Sequence, residues 1–371
     1  MKFSCERTFL QSAIAIASKA ASARSPIPAL EGILLEAGTD RVKLTCYDLK
    51  KGIYTSIPAT VAEPGSVILS ARIFGNIVNS LPDGMVIVRT EGQNATIRCG
   101  STEFNILGSD AADYPELPDV DSQAGIGLPQ NLLSKMIRQT IFAVSDNESR
   151  PIYTGELFEI KEGKLTVVAV DGYRLALRRE AVDGVDETCS FIVPGNALSD
   201  LEKLCGDTEE PVRIHLGSKH ISFTIGDTVL ISRRLEGEFL KYNTAVPSSF
   251  RVELKADRAL LQRTIERVSL IIDDRIKNPL RCTFGADEVR IVCATALGKA
   301  EDVCLLEGDG AGVEIGFNNR YLLDALKAAP ASEVKVCLNT GSSPCVLLPV
   351  ETPEDGGDFL YMILPVRLKA E

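Results

Sequence analysis

The stretch Gly32-Ile-Leu-Leu-Glu36 returns 123 positions later as Gly155-Glu-Leu-Phe-Glu159, and this repetition decides the fold. Asp48 returns over the same distance as Asp171. Units of solenoids and propellers are roughly 20–50 residues long, so a period of this size is too large for them. It indicates a whole domain repeated along the chain.

A second segment shows that the domain occurs three times in the sequence. Ser66-Val-Ile-Leu-Ser70 returns as Ser190-Phe-Ile-Val-Pro194 and again as Gly312-Val-Glu-Ile-Gly316. A chain of 371 residues also exceeds what one hydrophobic core usually serves. Turn-forming residues cluster between the copies. We therefore predict three domains, with the boundaries 1–122, 123–248 and 249–371.

Composition places the chain among ordinary globular proteins, with 45% hydrophobic and 25% charged residues. Its net charge of −11 argues against a protein that grips nucleic acid with its whole surface, although it leaves room for a local basic lining. No stretch approaches the roughly 20 apolar residues of a membrane span. Charges in Met1–Arg7 occupy the place of a signal-peptide apolar core. We expect a cytoplasmic protein that does not contact membranes.

The ten cysteines are scattered, mostly within apolar stretches, and no C-x-x-C motif occurs. Only two histidines accompany them, so a zinc site is not expected. Buried, reduced thiols are the simplest interpretation. We predict no metal, no cofactor and no catalytic residues. The cysteines expected to be buried are Cys46, Cys99, Cys282, Cys293, Cys304 and Cys337.

Each copy opens with a short strand and an amphipathic helix, and a second helix follows half a period later. Alternating strand patterns such as Arg41–Cys46, Lys164–Val168 and Glu288–Val292 lie between the helices. Short strands joined by tight turns favour an antiparallel sheet, and we predict an α+β fold. The helical stripes are Leu10, Ala13, Ile14 and Ala17; Leu133, Met136, Ile137 and Thr140; Leu261, Thr264, Ile265 and Val268; Phe74, Ile77, Val78 and Leu81; and Leu322, Ala325, Leu326 and Ala329, with a less regular helix over 196–205.

Basic residues recur on or just beyond the polar faces of the opening helices. A solvated helix face explains most such charges. Their recurrence at comparable places in an acidic protein suggests a shared role. They are Lys19 and Arg24, Lys135 and Arg138, and Arg258 and Arg263.

Four motifs in order resemble one known family over the whole chain. They are Met1–Arg7, Ala111-Ala-Asp-Tyr-Pro-Glu-Leu117, Val170-Asp-Gly-Tyr-Arg-Leu-Ala176 and Leu364-Pro-Val-Arg-Leu368. Together they are similar to the bacterial sliding clamp family, the DNA polymerase III beta subunits. The resemblance implies three clamp domains, each of two helices on antiparallel sheets, in a head-to-tail homodimer that closes a ring.

The function that this resemblance implies is mechanical rather than catalytic. The ring would encircle duplex DNA without sequence preference and act as a processivity factor for the replicative polymerase. Retention by topology raises effective concentration without strong contacts. The partners implied are the same chain, double-stranded DNA, the replicative polymerase, the clamp loader and other clamp-motif proteins.

The resemblance also implies a pocket for short peptide motifs on the second and third domains. Mostly apolar walls with a polar rim suit an aliphatic or aromatic anchor. The family usually has Phe-Pro-Asp-Tyr where this chain has Phe239-Leu-Lys-Tyr242, so we expect an altered motif preference. The matching residues are Tyr153, Val170, Gly172, Tyr173, Arg174, Leu175, Leu240, Ala245, Val246, Met362, Leu364, Pro365, Val366 and Arg367.

Two further sets of residues follow from the resemblance. The dimer seam is expected to bring Phe104 of one chain against Leu270 and Ile271 of the other. An aromatic pair that follows the DNA-contact arginine in some relatives is replaced here, so stacking on single-stranded template is not expected. The positions that match family DNA contacts are Arg24, Arg72, Asn147, Arg150, Pro151 and Ile152.

Two other classes of function compete with the clamp. An enzyme would use Asp48 and Asp171 as paired carboxylates, but equivalent acids in separate repeats are more simply turn residues. Arg174, between Tyr173 and Leu175, needs a partner or water in either case. The alternative non-enzyme is a structural repeat module that binds protein without encircling DNA.

Overall fold

A computed structural model describes residues 1–120, 125–182, 188–273, 278–351 and 357–368. These residues form short helices and antiparallel strands, which confirms the predicted α+β class. All three strand patterns quoted above lie within strands.

The order strand, helix, strands, helix, strands occurs three times. The first copy contains β1 (Lys2–Glu6), α1 (Arg7–Ala17), β2 (Gly32–Ala37), β3 (Arg41–Tyr47), β4 (Lys51–Pro58), β5 (Thr60–Glu63), β6 (Gly65–Ser70), α2 (Ala71–Ser80), β7 (Met85–Glu91), β8 (Asn94–Cys99) and β9 (Thr102–Leu107). The second contains β10 (Gly125–Pro129), α3 (Gln130–Thr140), β11 (Gly155–Lys161), β12 (Lys164–Val170), β13 (Arg174–Ala181), β14 (Cys189–Pro194), α4 (Gly195–Leu204), β15 (Pro211–Leu216), β16 (His220–Ile225) and β17 (Thr228–Arg233), followed by the short α5 (Tyr242–Ala245). The third contains β18 (Val252–Asp257), α6 (Arg258–Ser269), β19 (Leu280–Thr295), β20 (Gly298–Phe317), α7 (Asn319–Ala328), β21 (Glu333–Leu338), β22 (Cys345–Pro349) and β23 (Asp358–Ile363).

The helices form because an apolar stripe recurs with the helical period and buries one side of each. Every stripe predicted above is buried. Side chains also cap three helix starts by accepting a bond from a free backbone N–H: Ser70 caps α2, Asp257 caps α6 and Asn318 caps α7. The sequence-based helix predictions are confirmed.

The strands assemble into three sheets whose orders cross the repeats. A five-stranded sheet has the order β5-β1-β7-β8-β9, and an eight-stranded sheet has the order β10-β15-β16-β17-β4-β3-β2-β6. The third sheet has ten strands in the order β14-β11-β12-β13-β23-β22-β21-β18-β20-β19. In the second sheet β4 pairs with β17 of the next copy, and in the third β13 pairs with β23 of the next copy.

Because the sheets run across copies, the chain divides into two compact units rather than three. Unit 1 comprises 1–132 and 200–234, and unit 2 comprises 133–199 and 235–371. Each unit therefore contains part of the central copy. The boundaries 1–122, 123–248 and 249–371 mark sequence repeats and stay predictions as domain limits.

One carboxylic acid lies inside the core of unit 2. Glu156 on β11 is fully buried, and neither carboxylate oxygen has a hydrogen-bond partner within the described residues. Its burial raises the pKa of the carboxyl group to about 8. The corresponding residue of the first copy is Ile33, which is also fully buried. A strand covered on both faces has no solvent side to which a polar residue can turn.

The six cysteines predicted to be buried are buried, and all ten are free thiols. Burial raises the pKa of the Cys282 thiol to about 12, so it stays protonated. In the described part of the chain, no group of three or more acidic, histidine or cysteine side chains is arranged to hold a metal ion. No helix among those residues is long and apolar enough to cross a membrane.

Candidate functional site

The site begins with a tight turn between β12 and β13. Asp171 Oδ1 accepts hydrogen bonds from the backbone N–H groups of Tyr173 (2.8 Å) and Arg174 (3.0 Å). Gly172 has a φ of +91°, a conformation that L side chains rarely adopt. Asp48 accepts equivalent bonds from Lys50 and Lys51. Both aspartates are therefore turn residues, as the simpler interpretation predicted.

Arg174 lies at the centre of the site and is 10% exposed. Its Nε donates to Asp171 Oδ2 at 2.9 Å, and its Nη1 donates to Asp324 Oδ2 on α7 at 2.6 Å. The guanidinium group also lies over the rings of Tyr321 (4.6 Å) and Phe142 (5.4 Å). The charge of Arg174 is therefore paired with two carboxylates.

An apolar cluster forms the floor beside this turn, and we call it the Arg174 pocket together with Arg174 and the tail described below. Val170, Leu175 and Met362 are buried in one cluster within unit 2. The predicted pocket residues Tyr153, Leu240, Ala245 and Val246 are partly buried and pack against that cluster. The structure thus brings together side chains as distant in sequence as Tyr153 and Met362.

A buried tyrosine anchors the segment that contains Leu240. Tyr242 Oη donates to Glu159 Oε2 at 2.6 Å, and burial raises the pKa of Tyr242 to about 12. Beside it, the ring of Phe239 meets Tyr153 edge-on, with centroids 5.6 Å apart. Leu240 therefore takes part in the apolar cluster at the place where relatives usually have proline.

The residues after β23 supply a further wall, the tail Leu364–Leu368. Leu364 N donates to Tyr173 O at 2.8 Å, and Val366 N donates to Gly316 O at 2.8 Å. Leu364 and Pro365 are partly buried, while Val366 and Arg367 are exposed. The extension over 369–371 lies outside the described residues.

Aromatic rings frame the rim of the Arg174 pocket. Tyr173 is 62% exposed and stacks on Tyr321, with ring centroids 6.1 Å apart. An exposed ring beside a buried apolar floor offers area at small entropic cost. The arrangement can bind an apolar side chain and orient it by the polar groups at its edge.

Sequence reasoning missed three residues that surround Arg174, namely Phe142, Tyr321 and Asp324. A signal for one of them was present in the repeat. Lys51 follows Asp48 as Arg174 follows Asp171, and Lys51 pairs with Asp200 on α4. Lys51 and Asp200 lie 149 positions apart, and Arg174 and Asp324 lie 150 positions apart. The second ion pair therefore repeats the first, one domain later in the chain.

The residues predicted to contact DNA are mostly exposed. Arg24 and Arg72 are exposed in unit 1, and Asn147, Arg150 and Pro151 are exposed in unit 2. Asn147 also shapes its turn, because its Oδ1 accepts from Ser149 N at 3.0 Å. Ile152 is partly buried and packs against the apolar cluster of the Arg174 pocket.

The basic residues of the opening helices divide into two kinds. Lys135, Arg138 and Arg263 are exposed. Arg258 instead donates through Nε to Ala331 O at 2.9 Å and through Nη1 to Leu326 O at 3.3 Å, so it caps the end of α7. Arg258 is a structural residue.

The predicted seam residues lie at the ends and edges of elements. Phe104 is partly buried on β9, the edge strand of the five-stranded sheet. Leu270 ends α6 and is 84% exposed, while Ile271 packs partly against the core. Leu107 on β9 and Leu297 before β20 are also strongly exposed, and sequence reasoning missed both.

Three family models match the chain in succession. They are the N-terminal domain of the DNA polymerase III beta subunit over residues 1–118, its central domain over 127–241 and its C-terminal domain over 243–367.

Curated relatives and solved structures agree with these matches. The beta sliding clamp of Bacillus subtilis is 32% identical, with 99% of this chain and 100% of that protein covered. The clamp of Staphylococcus aureus strain N315 is 34% identical, with 99% of both covered. Among solved structures, the Bacillus subtilis clamp has a TM-score of 0.93 at 31% identity and 100% coverage of both chains. A Pseudomonas aeruginosa clamp bound to griselimycin has a TM-score of 0.93 at 26% identity, covering 99% of this chain and 100% of that one.

Proposed function

Because the chain belongs to the DNA polymerase III beta subunit family, the bacterial sliding clamps, we propose that it closes as a head-to-tail homodimer and carries partner peptides in the Arg174 pocket. It has the three-domain clamp fold. It is a DNA sliding clamp, a processivity factor rather than a catalyst. DNA, a polymerase and a second clamp chain are the partners that this family implies in general.

The dimer proposal rests on a pairing of strands that joins one copy to the next and that is incomplete in the third copy. β4 pairs with β17 of the following copy, and β13 pairs with β23 of the following copy. The same place in the third copy belongs to the start of β20. In the described ranges, Gly298–Val303 pairs with β19 on one side and with no strand on the other.

The missing partner has a counterpart at the other end of the chain. β9 takes the place in the first copy that β17 and β23 take in the others, and it lies at a sheet edge. Pairing β9 of one chain with the start of β20 of another repeats the junction between molecules. Such a heterologous contact closes when the rotation per chain divides the circle, and two chains of three copies give six.

The side chains at these edges support pairing. Natural edge strands usually carry charges that discourage contact with another strand. Leu107 ends β9, Leu297 precedes β20, and Val303 lies on the half of β20 that pairs, among the described residues, on one side alone, and all three are exposed. Leu270 and Phe104 extend the same apolar surfaces in our proposal.

Solution mass tests this seam directly. Ile271→Asp is expected to produce monomers in multi-angle light scattering, because it places a charge in an apolar contact. Leu49→Asp is the control, since it places the same charge at an exposed apolar residue outside the proposed seam. An unchanged dimer mass for Ile271→Asp would remove this seam from consideration.

We propose that DNA passes through the ring without tight contacts. The net charge of −11 limits attraction to local basic groups. Strong phosphate pairing would resist sliding and would fall steeply with salt. The proposed contacts are the exposed Arg24, Arg72, Asn147, Arg150 and Pro151, with Ile152 supporting their turn from beneath.

The Arg174 pocket is proposed to bind short motifs of the replicative polymerase, the clamp loader and other clamp-motif proteins. Val170, Leu175 and Met362 offer a buried apolar floor for an anchor side chain. Tyr173 and the tail supply a rim that sets direction. The place of action that fits a bacterial replication factor with ten free thiols is the cytoplasm.

A further inference from the structure

The tail Leu364–Leu368 crosses the chain at a glycine. Val366 N donates to the carbonyl oxygen of Gly316, and Gly316 is buried at the end of β20. A Cβ at position 316 would overlap the carbonyl oxygen of Val366 and would lie 2.8 Å from Leu368 Cδ2. The first of these atoms belongs to the backbone and cannot turn aside as a side chain can. The tail can take this path only because residue 316 has no side chain.

The other two copies show that the strand itself does not require glycine here. Ile68 and Ile192 occupy the equivalent position in the first and second copies, because each lies three residues before the following helix, as Gly316 does. There the crossing segment bridges to the isoleucine, Ser109 to Ile68 and Leu235 to Ile192. In the third copy the crossing bond falls at the same position, but the tail lies so close that a Cβ would overlap it. The glycine accompanies this closer approach of the tail rather than the strand.

This close crossing sets the position of one wall of the Arg174 pocket. The tail is tied by backbone bonds at Tyr173, beside Arg174, and at Gly316. Leu364 and Pro365 lie between these ties and are partly buried. Loss of the second tie would leave their position to a single hydrogen bond.

We propose that Gly316 is a positioning residue of the Arg174 pocket, which acts on partner peptides through the tail without touching them. The inference rests on the proposed function of that pocket. It predicts that filling position 316 lifts the tail and weakens peptide binding, while the rest of the fold is kept.

Gly316→Ala tests the inference against a matched glycine in the same hairpin. Gly285→Ala is the control, because an added Cβ at 285 meets its nearest atoms at 3.9 Å. A short fluorescein-labelled peptide with leucine and phenylalanine anchors serves as the probe. We expect about tenfold weaker binding to Gly316→Ala, the cost of a modest overpacking, and unchanged binding to Gly285→Ala.

Two further readouts separate positioning from a general loss of structure. Hydrogen exchange at the Val366 amide should accelerate in Gly316→Ala and stay slow in Gly285→Ala. In a chain truncated after Pro365, Gly316→Ala should cause no additional loss of peptide affinity, since the crossing residue is gone. Equal losses in both backgrounds, or unchanged exchange at Val366, would overturn the role of Gly316. An unmodified protein that does not bind the peptide would instead contradict the proposed function of the pocket, while the exchange measurement still reports on the tail.

Discussion

The turn at Asp48 and the turn at Asp171 have the same local structure but different surroundings. In each, the aspartate Oδ1 accepts bonds from the second and third following amides. In each, the third residue is basic and pairs with an aspartate of the next copy, Lys51 with Asp200 and Arg174 with Asp324. Both turns join one copy to the next.

Different residues cover the two turns. Leu117 packs against Gly52, its Cδ2 2.9 Å from where a Cβ would lie, and Tyr47 and Tyr114 share the same apolar cluster. At the second turn Leu175 replaces Gly52 and the tail provides the wall. The repeated turn joins one copy to the next, and we propose that the residues covering the turn decide whether a partner peptide binds there.

Of the changes proposed here, removal of the tail should weaken peptide binding at the second turn the most. Deleting 364–371 takes away the wall and the bond from Leu364 to Tyr173, so we expect peptide affinity to fall at least about 100-fold. Fluorescence anisotropy measures the affinity, and light scattering should still give a dimer. Deleting only 369–371 is the control. Retained affinity after the longer deletion would place the partner site elsewhere.

Glu156→Ile exchanges a residue of the second copy for its first-copy counterpart, Ile33. The folded chain raises the pKa of Glu156 from 4.5 to about 8, so it keeps a proton that the unfolded chain releases. Wild-type stability from this group therefore falls as pH rises from about 4.5 to about 8. The variant should be more stable at pH 8 by on the order of 3 kcal/mol, and by much less at pH 5.

Urea unfolding at the two pH values measures this effect. Glu36→Gln is the control, because the Glu36 side chain is half exposed and its loss should give the same small change at both pH values. An equal gain for Glu156→Ile at pH 5 and pH 8 would mean that folding does not raise the pKa of Glu156.

Arg174→Ala and Lys51→Ala compare the two ion pairs. Each leaves a largely buried carboxylate without its cation, so each should lower the free energy of unfolding by roughly 2 kcal/mol. Only Arg174→Ala should also weaken peptide binding, because only that turn borders the pocket. The comparison fails if Lys51→Ala reduces peptide affinity to the same degree.

Tyr173→Lys gives the second turn the residue that the first turn carries at Lys50. It removes the ring stacked on Tyr321 and should weaken peptide binding about fivefold. Stability should change by less than about 0.5 kcal/mol, because Tyr173 is mostly exposed. Lys50→Tyr should have no effect on either quantity. Full peptide affinity in Tyr173→Lys would exclude the ring from the rim.

Much of this structure could be predicted because its signals are local. The helical stripe from Leu10 to Ala17 and the strand alternation from Arg41 to Cys46 follow from period alone. The turn roles of Asp48 and Asp171 followed from their repetition. The pocket residues were predicted by family resemblance, and the structure places seven of them in or against one apolar cluster, namely Tyr153, Val170, Leu175, Leu240, Ala245, Val246 and Met362.

The remainder depends on contacts between distant parts of the chain. Nothing local in β13 indicates that it pairs with β23, nearly two hundred residues away. Asp324 was missed for the same reason, although the pair of Lys51 with Asp200 repeats its spacing. Glu156 resembles a solvent-facing strand residue, and only burial on both faces of β11 makes it a core carboxyl.

Retention on circular DNA tests whether this clamp holds DNA by encircling it, as we propose. Clamp loaded onto a nicked circle should stay bound through gel filtration at high salt, because topology does not depend on ionic strength. Cutting the circle with a restriction enzyme should release it. Ile271→Asp protein should not be retained on either form. Clamp that stays on the linear product as firmly as on the circle would contradict encirclement and favour a module that binds by its surface.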